Sequence, residues 1–191
     1  MIRPAEPSDA KFVVPLIIQA MGELAGKFAN SSDPKIIEQL FKHFFTQRDN
    51  QYSFQNILVF IENDQVLGSI NAYDGDELLE LRKTFLDHLA KNYNLINFHP
   101  EPETQKGEFY LDTISVHPNA QGKGIGKALI KAGINRGRQL GHYNIGLLVE
   151  QGNKRALKLY EKMGFITQNE KQFMGGLYYH MVYTVQFSKI I

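Results

Sequence analysis

The sequence predicts an α/β (α+β) fold, a mixed β-sheet with helices on both faces. Three observations predict it. Apolar runs of strand length alternate with stretches whose apolar residues recur at helical spacing. The second half reads strand–helix–strand–helix–strand, an order that buries a sheet between helices. No repeat, low-complexity tract or linker interrupts the 191 residues, so one domain over 1–191 is expected; 43% hydrophobic against 21% charged residues supplies a full core.

Taken in order, Ile2-Arg3-Pro4-Ala5 is an edge strand, because Pro4 excludes a central one. Ser8 and Asp9 are N-cap types ahead of a helix carrying Phe12, Leu16, Ile17, Ala20 and Leu24, and Pro15 is expected to kink it or move its start. Asp33 followed by Pro34 is a start signal for a second helix, with Ile36, Ile37, Leu40, Phe41, Phe44 and Phe45 on one stripe. Residues 56–61 read as a buried strand, Glu62-Asn63-Asp64-Gln65 as a turn, and 66–72 as the hairpin partner. Leu78, Leu81, Phe85, Leu86 and Leu89 define an inserted helix near 76–93, followed by a Pro-containing loop over 94–106. A strand over 108–116, a helix over 125–140 closed by Gly141, a strand over 143–149 and a helix over 153–163 ended by Gly164 come next. An alternating strand over 178–187 closes the chain.

Charge and composition exclude several classes. The net charge of +1 gives no global pull towards nucleic acid or anionic membrane, so neither is expected as a partner. Residues 103–165 hold 10 Lys and Arg against 5 Asp and Glu, whereas 62–102 hold 3 against 8. A basic segment beside an acidic one suits an anionic cofactor and a cationic co-substrate, or two solvated surfaces. Having no cysteine removes disulfides, thiolate metal sites and cysteine nucleophiles. The six histidines lack short metal-ligand spacing, so no metal is expected. The N-terminus carries no apolar signal region and no window reaches bilayer-spanning length, so a cytoplasmic location is expected.

Residues 116–130 carry the functional argument. A strand ends, Gln121-Gly122-Lys123-Gly124-Ile125-Gly126-Lys127 turns, and a helix begins. The first N–H groups of a helix lack intrahelical partners and carry partial positive charge, and glycines let an anion approach them. The turn is therefore a phosphate cradle. It is not a nucleoside-triphosphate loop, since the glycine spacing is one residue short and Ala128 replaces the hydroxyl. It is not a dinucleotide fingerprint, since Lys127 stands where the third glycine belongs.

Gln121-Gly122-Lys123-Gly124-Ile125-Gly126 resembles the [RQ]-x-x-G-x-[GA] motif of the GNAT acetyltransferase superfamily, approached through Ile114-x-Val116-x-Pro118. Asn153-x-x-Ala156-x-x-Leu159-Tyr160-x-x-x-Gly164-Phe165 resembles the same superfamily's next helix, at the expected distance. The resemblance is clear over about 108–165. It implies a central, mostly antiparallel sheet of about seven strands flanked by helices, and acetyl-CoA as co-substrate. It implies that the 121–127 turn binds the pyrophosphate, that Ser115 and Val116 meet the pantetheine arm through backbone groups, and that Asn153 contacts that arm. It implies an amine acceptor, small molecule or peptide, and dimers are common in the family.

N-acetylation needs a neutral amine, so a group must take its proton, and the leaving sulfur gains from a proton donor. Tyr160 matches the family tyrosine assigned to that donor, and lies two helical turns from Asn153 on one face. Asp112, in the strand leading to the turn and sharing an alternating face with Tyr110, Ile114 and Val116, is the base the residues favour; Glu108, Glu150 or a water are the alternatives. Transfer is expected to be direct. The acidic run Asp74-Gly75-Asp76-Glu77 points either to a cationic amine or to a capped, solvent-facing helix. A non-catalytic acyl-CoA-binding protein on the same fold is the alternative reading of the whole chain.

Overall fold

The computed structural model describes residues 1–186; the last predicted strand runs on to Phe187, which lies outside them. The strands are β1 (Ile2–Pro4), β2 (Ile57–Glu62), β3 (Gln65–Asp74), β4 (Glu108–Val116), β5 (Asn144–Glu150), β6 (Ile166–Phe173) and β7 (Gly176–Thr184). They pair in one sheet in the order β1-β2-β3-β4-β5-β7-β6. Only β4 and β5 pair in parallel; the other described pairs are antiparallel. Helices α1 (Ala10–Met21), α2 (Glu23–Ala29), α3 (Pro34–Thr46) and α4 (Leu78–Asn92) bury their apolar faces in one core. Helices α5 (Ile125–Gln139) and α6 (Lys154–Lys162) pack on a second core across the sheet. This is the helix-flanked mixed sheet the sequence predicts.

Local chemistry explains the well-formed elements. The Asp33 carboxylate accepts from Lys35 N at 2.8 Å, capping α3 ahead of Pro34. Asn63 and Asp64 both adopt positive φ, 51° and 58°, the turn handedness that matches the twist of a hairpin. Helix α5 lies flush on the sheet because Gly137 faces it: a Cβ there would sit 2.5 Å from Ile145 Cδ1.

Three features differ from the sequence-based expectation. The first predicted helix does not continue through Leu24. It breaks at Gly22 (φ 55°, ψ −126°), and α2 leaves at 105° to the preceding helix. The buried stripe of α1 is Val13, Val14, Leu16 and Ile17, while Phe12 and Ala20 are exposed. Pro15 neither ends nor starts the helix; it sits inside α1 on the solvent side. Strand β6 has no apolar period and is almost wholly exposed; it exists because β7 supplies its ladder. Finally, β4 carries a bulge. Ile70 faces Ile114 and Ala72 faces Leu111, so β4 spends one residue more than β3 around Asp112 and Thr113.

No single described helix is long and apolar enough to cross a membrane. The β4–β5 ladder spans only Glu108↔Asn144, Phe109↔Ile145 and Tyr110↔Gly146. Beyond it β5 stays with β7 while β4 stays with β3, so the sheet opens into a cleft.

Candidate active site

The bulge decides what β4 presents to the cleft. A regular strand alternates faces with period 2, so Asp112, Ile114 and Val116 would share one. The extra residue reverses the parity. Asp112 stays with Tyr110 on the α4 side, where it meets Tyr73. Ile114 and Val116 cross to the α5 side, joining the core there, and Val116 Cγ2 comes within 3.7 Å of a Cβ position on Gly126. Ser115 faces α1, its Oγ accepting from Gln19 Nε2 at 2.7 Å. The predicted common face of Asp112, Ile114 and Val116 is thus corrected by one inserted residue.

On the Ile114–Val116 side lies a groove of about 550 Å³. Ser115, Val116, Gln121, Gly122, Gly124, Ile125, Gly126, Lys127 and Asn153 of the predicted set line it; Lys123, in the same turn, does not. Gly122 and Gly124 have φ of 82° and 81°, and nothing lies within 4 Å of where their Cβ atoms would be. Both requirements point to glycine: a left-handed backbone, and open space for a ligand to come close to the N–H groups. Gly126 is already in the first turn of α5 and needs no special φ. Gln19 and Arg155, which the sequence reading passed over, also line the groove. Gln19 Nε2 donates to Val116 O at 3.0 Å, and Arg155 Nη1 to Gln121 Oε1 at 3.3 Å. Behind the groove a recess of about 410 Å³ carries Lys127, Lys131 and Lys162.

A second cavity, about 230 Å³, lies on the Asp112 side. A third of its described lining residues are aromatic: Phe28, Tyr52, Tyr110, Tyr160, Phe173 and Tyr178. Its described lining residues include three carboxyl side chains, Glu103, Asp112 and Glu150, and no Lys, Arg or His. The break at Gly22 shapes it, since Ala20 and Met21 line it from α1 and Leu24 and Phe28 from α2. The two cavities share Ala20, Ile114, Asn153, Ala156 and Tyr160, so they meet there.

Asp112 is held at one oxygen. Oδ2 accepts from Gln51 Nε2 at 2.9 Å, Tyr73 Oη at 2.9 Å and Asn71 Nδ2 at 3.4 Å. Oδ1 has no hydrogen-bond partner among the described residues and is not among the sealed, unpartnered atoms. Burial pushes the Asp112 carboxyl up to about 6, helped by the negative charge of Glu103 and opposed by the hydrogen bonds from Gln51 and Tyr73 and by Arg82. Glu103 and Arg82 form a buried ion pair, 4% and 2% exposed.

Tyr160 is half-buried on α6, edge-on to Phe165 at 5.8 Å between ring centres. Burial raises its phenol to about 12, so it stays protonated at neutral pH. Asn153 Oδ1 caps α6 by accepting from Ala156 N at 3.0 Å, which fixes the helix that carries Tyr160. Glu108, an alternative base, is 2% exposed and lines neither cavity; its carboxylate is engaged by His180 Nε2 at 2.8 Å and Gln105 N at 2.6 Å. Glu150 is exposed at the cavity edge. Asp74 caps the short 3-10 turn Gly75–Glu77 that leads into α4, its Oδ1 accepting from Asp76 N at 3.0 Å, and the Asp74–Glu77 run lines neither cavity. Acidity at the second cavity comes from other residues.

Comparison with known proteins gives the family and the fold. The profile of the acetyltransferase (GNAT) family matches residues 19–165. The chain is 41% identical over 76 residues to a mycothiol acetyltransferase of Propionibacterium freudenreichii subsp. shermanii, a stretch covering 37% of this chain and 24% of that protein. With the mycothiol acetyltransferase of Geodermatophilus obscurus it shares 37% identity over 98 residues, 51% of this chain and 28% of that one. The chain therefore spans about a quarter of the length of these relatives. The crystal structure of an acetyltransferase superposes with TM-score 0.82 at 26% identity, covering 97% of this chain and 100% of the other. An N-acetyltransferase from Staphylococcus aureus Mu50 superposes at 0.81 and 21% identity, over 96% and 100%. The PaiA N-acetyltransferase of Thermoplasma acidophilum, solved with coenzyme A, shares the fold at 0.56 and 14%, over 96% and 98%.

Proposed function

The chain belongs to the GNAT acetyltransferase family, and from that premise we propose that it transfers an acetyl group from acetyl-CoA to a primary amine by direct attack in a ternary complex. The observation that carries this reading is the meeting of two differently built cavities at Tyr160 and Asn153. One is glycine-floored at a helix N-terminus and flanked by Lys127 and Arg155, as a pyrophosphate requires; the other is aromatic and acidic, as an ammonium requires.

Acetyl-CoA supplies an activated acetyl thioester. The open left-handed glycines and the basic recess beside them fit its phosphates. The β5-facing edge of β4 beyond Tyr110 has no ladder partner on β5, so its backbone groups are available to an extended arm. The amine enters as an ammonium. Asp112 takes its proton at Oδ1, and a carboxyl near 6 is ionised at neutral pH yet more basic than an ordinary aspartate. Tyr160 faces the junction as a hydrogen-bond donor to the departing sulfur. Complete proton transfer from a phenol near 12 to a thiolate of ordinary pKa, about 8.5, is uphill, so donation of the hydrogen bond is its contribution. The acceptor is compact and carries no carboxylate beside its amine: the cavity is small, and no described cationic side chain lines it to receive an anion.

Calorimetric titration of acetyl-CoA into the wild type and Gly126→Glu tests the first half. Gly126 needs no special φ and its Cβ meets only an ordinary contact, so this variant folds while placing a carboxylate at the phosphates. Micromolar binding lost in the variant supports the reading; no binding of acetyl-CoA, CoA or longer acyl-CoAs to the wild type ends it. Amine-dependent CoA release then separates an enzyme from a protein that only binds acyl-CoA.

A further inference from the structure

The turn after α3 delivers a side chain that no motif singles out. Asn50 Nδ2 donates to the carbonyls of Phe44 at 3.0 Å, and of Gln47 and Arg48 at 3.3 Å each, satisfying groups that the helix end leaves open. The turn so wound buries Gln51, which is 1% exposed. Its backbone is pinned from two elements: Gln51 N donates to Leu81 O at 3.0 Å, and Gln51 O accepts from Asn71 Nδ2 at 3.0 Å.

The side chain has one allowed orientation. Arg82 Nε lies 3.0 Å from its Oε1, and a guanidinium can only donate, so the oxygen must face Arg82. The amide nitrogen then faces Asp112 Oδ2 at 2.9 Å, Glu103 Oε1 at 3.1 Å and Tyr73 Oη at 3.1 Å. We propose that Gln51 is the positioning residue of the acceptor-side carboxylate: its single amide, locked by Arg82, ties Oδ2 of Asp112 to Glu103 and leaves Oδ1 as the one oxygen turned to the acceptor.

The arrangement also insulates. An arginine directly on a carboxylate lowers its pKa by about one to three units, which would spoil a base. Here Glu103 takes the Arg82 charge in a two-oxygen ion pair, and Gln51 passes on only a neutral donor. The titratable and charged groups facing Asp112 are Glu103 from the loop before β4, Arg82 from α4, Tyr52 beside Gln51, Tyr73 from β3 and Tyr110 on its own strand. Burial drives all three tyrosines well above their usual value, so near neutral pH they stay uncharged.

This rests on the reading of Asp112 as the base, and the test separates the two. Carboxyl-carbon NMR titration, with the Asp112 signal assigned by Asp112→Asn, is run on the wild type, Gln51→Met and Gln51→Glu beside the pH profile of kcat/KM. Both variants are expected to raise the Asp112 midpoint, Gln51→Glu by about one unit or more through a like charge, with acetyl-CoA affinity within about twofold of wild type and the acid limb of kcat/KM following the midpoint. Gln51→Glu keeps an acceptor for Arg82, so it carries the test if Gln51→Met does not fold. A midpoint that stays put in a folded Gln51→Glu, or falls, overturns the proposal. A midpoint that rises while the acid limb stays supports Gln51 as the holder of Asp112 and rejects Asp112 as the base.

Discussion

Replacing Asp112 by asparagine should make the protein more stable as it makes it inactive. Asparagine keeps an oxygen that can accept from Gln51 and Tyr73, so the hydrogen bonds at that position survive. What disappears is the penalty of ionising a carboxyl whose pKa rises from 3.8 to about 6 on folding. A folded state that holds its proton more tightly loses stability as pH climbs between those two values, and above the higher one the whole penalty stands. At about 1.4 kcal/mol per pH unit the ceiling is about 3 kcal/mol; because Glu103 shares the proton balance, about 1–3 kcal/mol is expected. For a chain of this length that is a rise in Tm of about 2–10 °C. Thermal melts of both proteins from pH 4 to 8 read it directly. The gap should be near zero at the acid end, open through pH 5 and 6, and level off above. A variant less stable than wild type at pH 7.5, or a gap independent of pH, would refute the picture of a buried carboxylate kept at a cost for its basicity.

Three further outcomes are expected. Acetyl transfer by the wild type should show an acid limb with a midpoint near pH 6 in kcat/KM, and Asp112→Asn should lose that limb along with about 10²-fold or more of the rate, by pH-profiled CoA release. Tyr160→Phe should lower kcat by about 10²-fold while calorimetric acetyl-CoA affinity stays the same, because the ring packing on Phe165 is kept and only the donor is lost. Gly137→Ala should destabilise the fold by about 1–3 kcal/mol in urea unfolding, since the added methyl would overlap Ile145 and Phe109 where α5 lies on the sheet.

Elements whose signals are local were legible in the chain. Helix α3 announced itself through Asp33-Pro34 and its phenylalanine stripe, the β2–β3 hairpin through Asn63-Asp64, and the turn before α5 through its glycines. The groove side of the site was legible for the same reason: Gln121–Gly126 and Asn153–Tyr160 are contiguous stretches with fixed spacing. On the Asp112 side only Asp112 itself and Glu150 were singled out. Gln51 and Asp112 are 61 positions apart, Arg82 and Glu103 are 21 apart, and no periodicity relates them; only the folded sheet brings them together. Gln19 and Arg155 were missed because polar residues on solvent-facing helical positions look like surface until a cleft forms beside them. The Gly22 break did have a signal, the glycine itself, but the leucine two residues on continued the helical stripe and masked it. The bulge in β4 has no such mark in Asp112-Thr113, since an extra residue declares itself only against a partner strand.

That extra residue gives the molecule two addresses on one strand. Asp112 and Thr113 line the smaller cavity, Ser115 and Val116 line the groove, and Ile114 stands where the two meet. Substitutions that retune one partner therefore need not disturb the other. Straightening the bulge without shortening the strand would turn Ile114 and Val116 to the Asp112 side and take them from the groove wall, whereas deleting the extra residue would leave both facing α5. The arrangement therefore depends on the bulge itself, which lets Asp112 and Ile114, two positions apart, face opposite sides of the sheet.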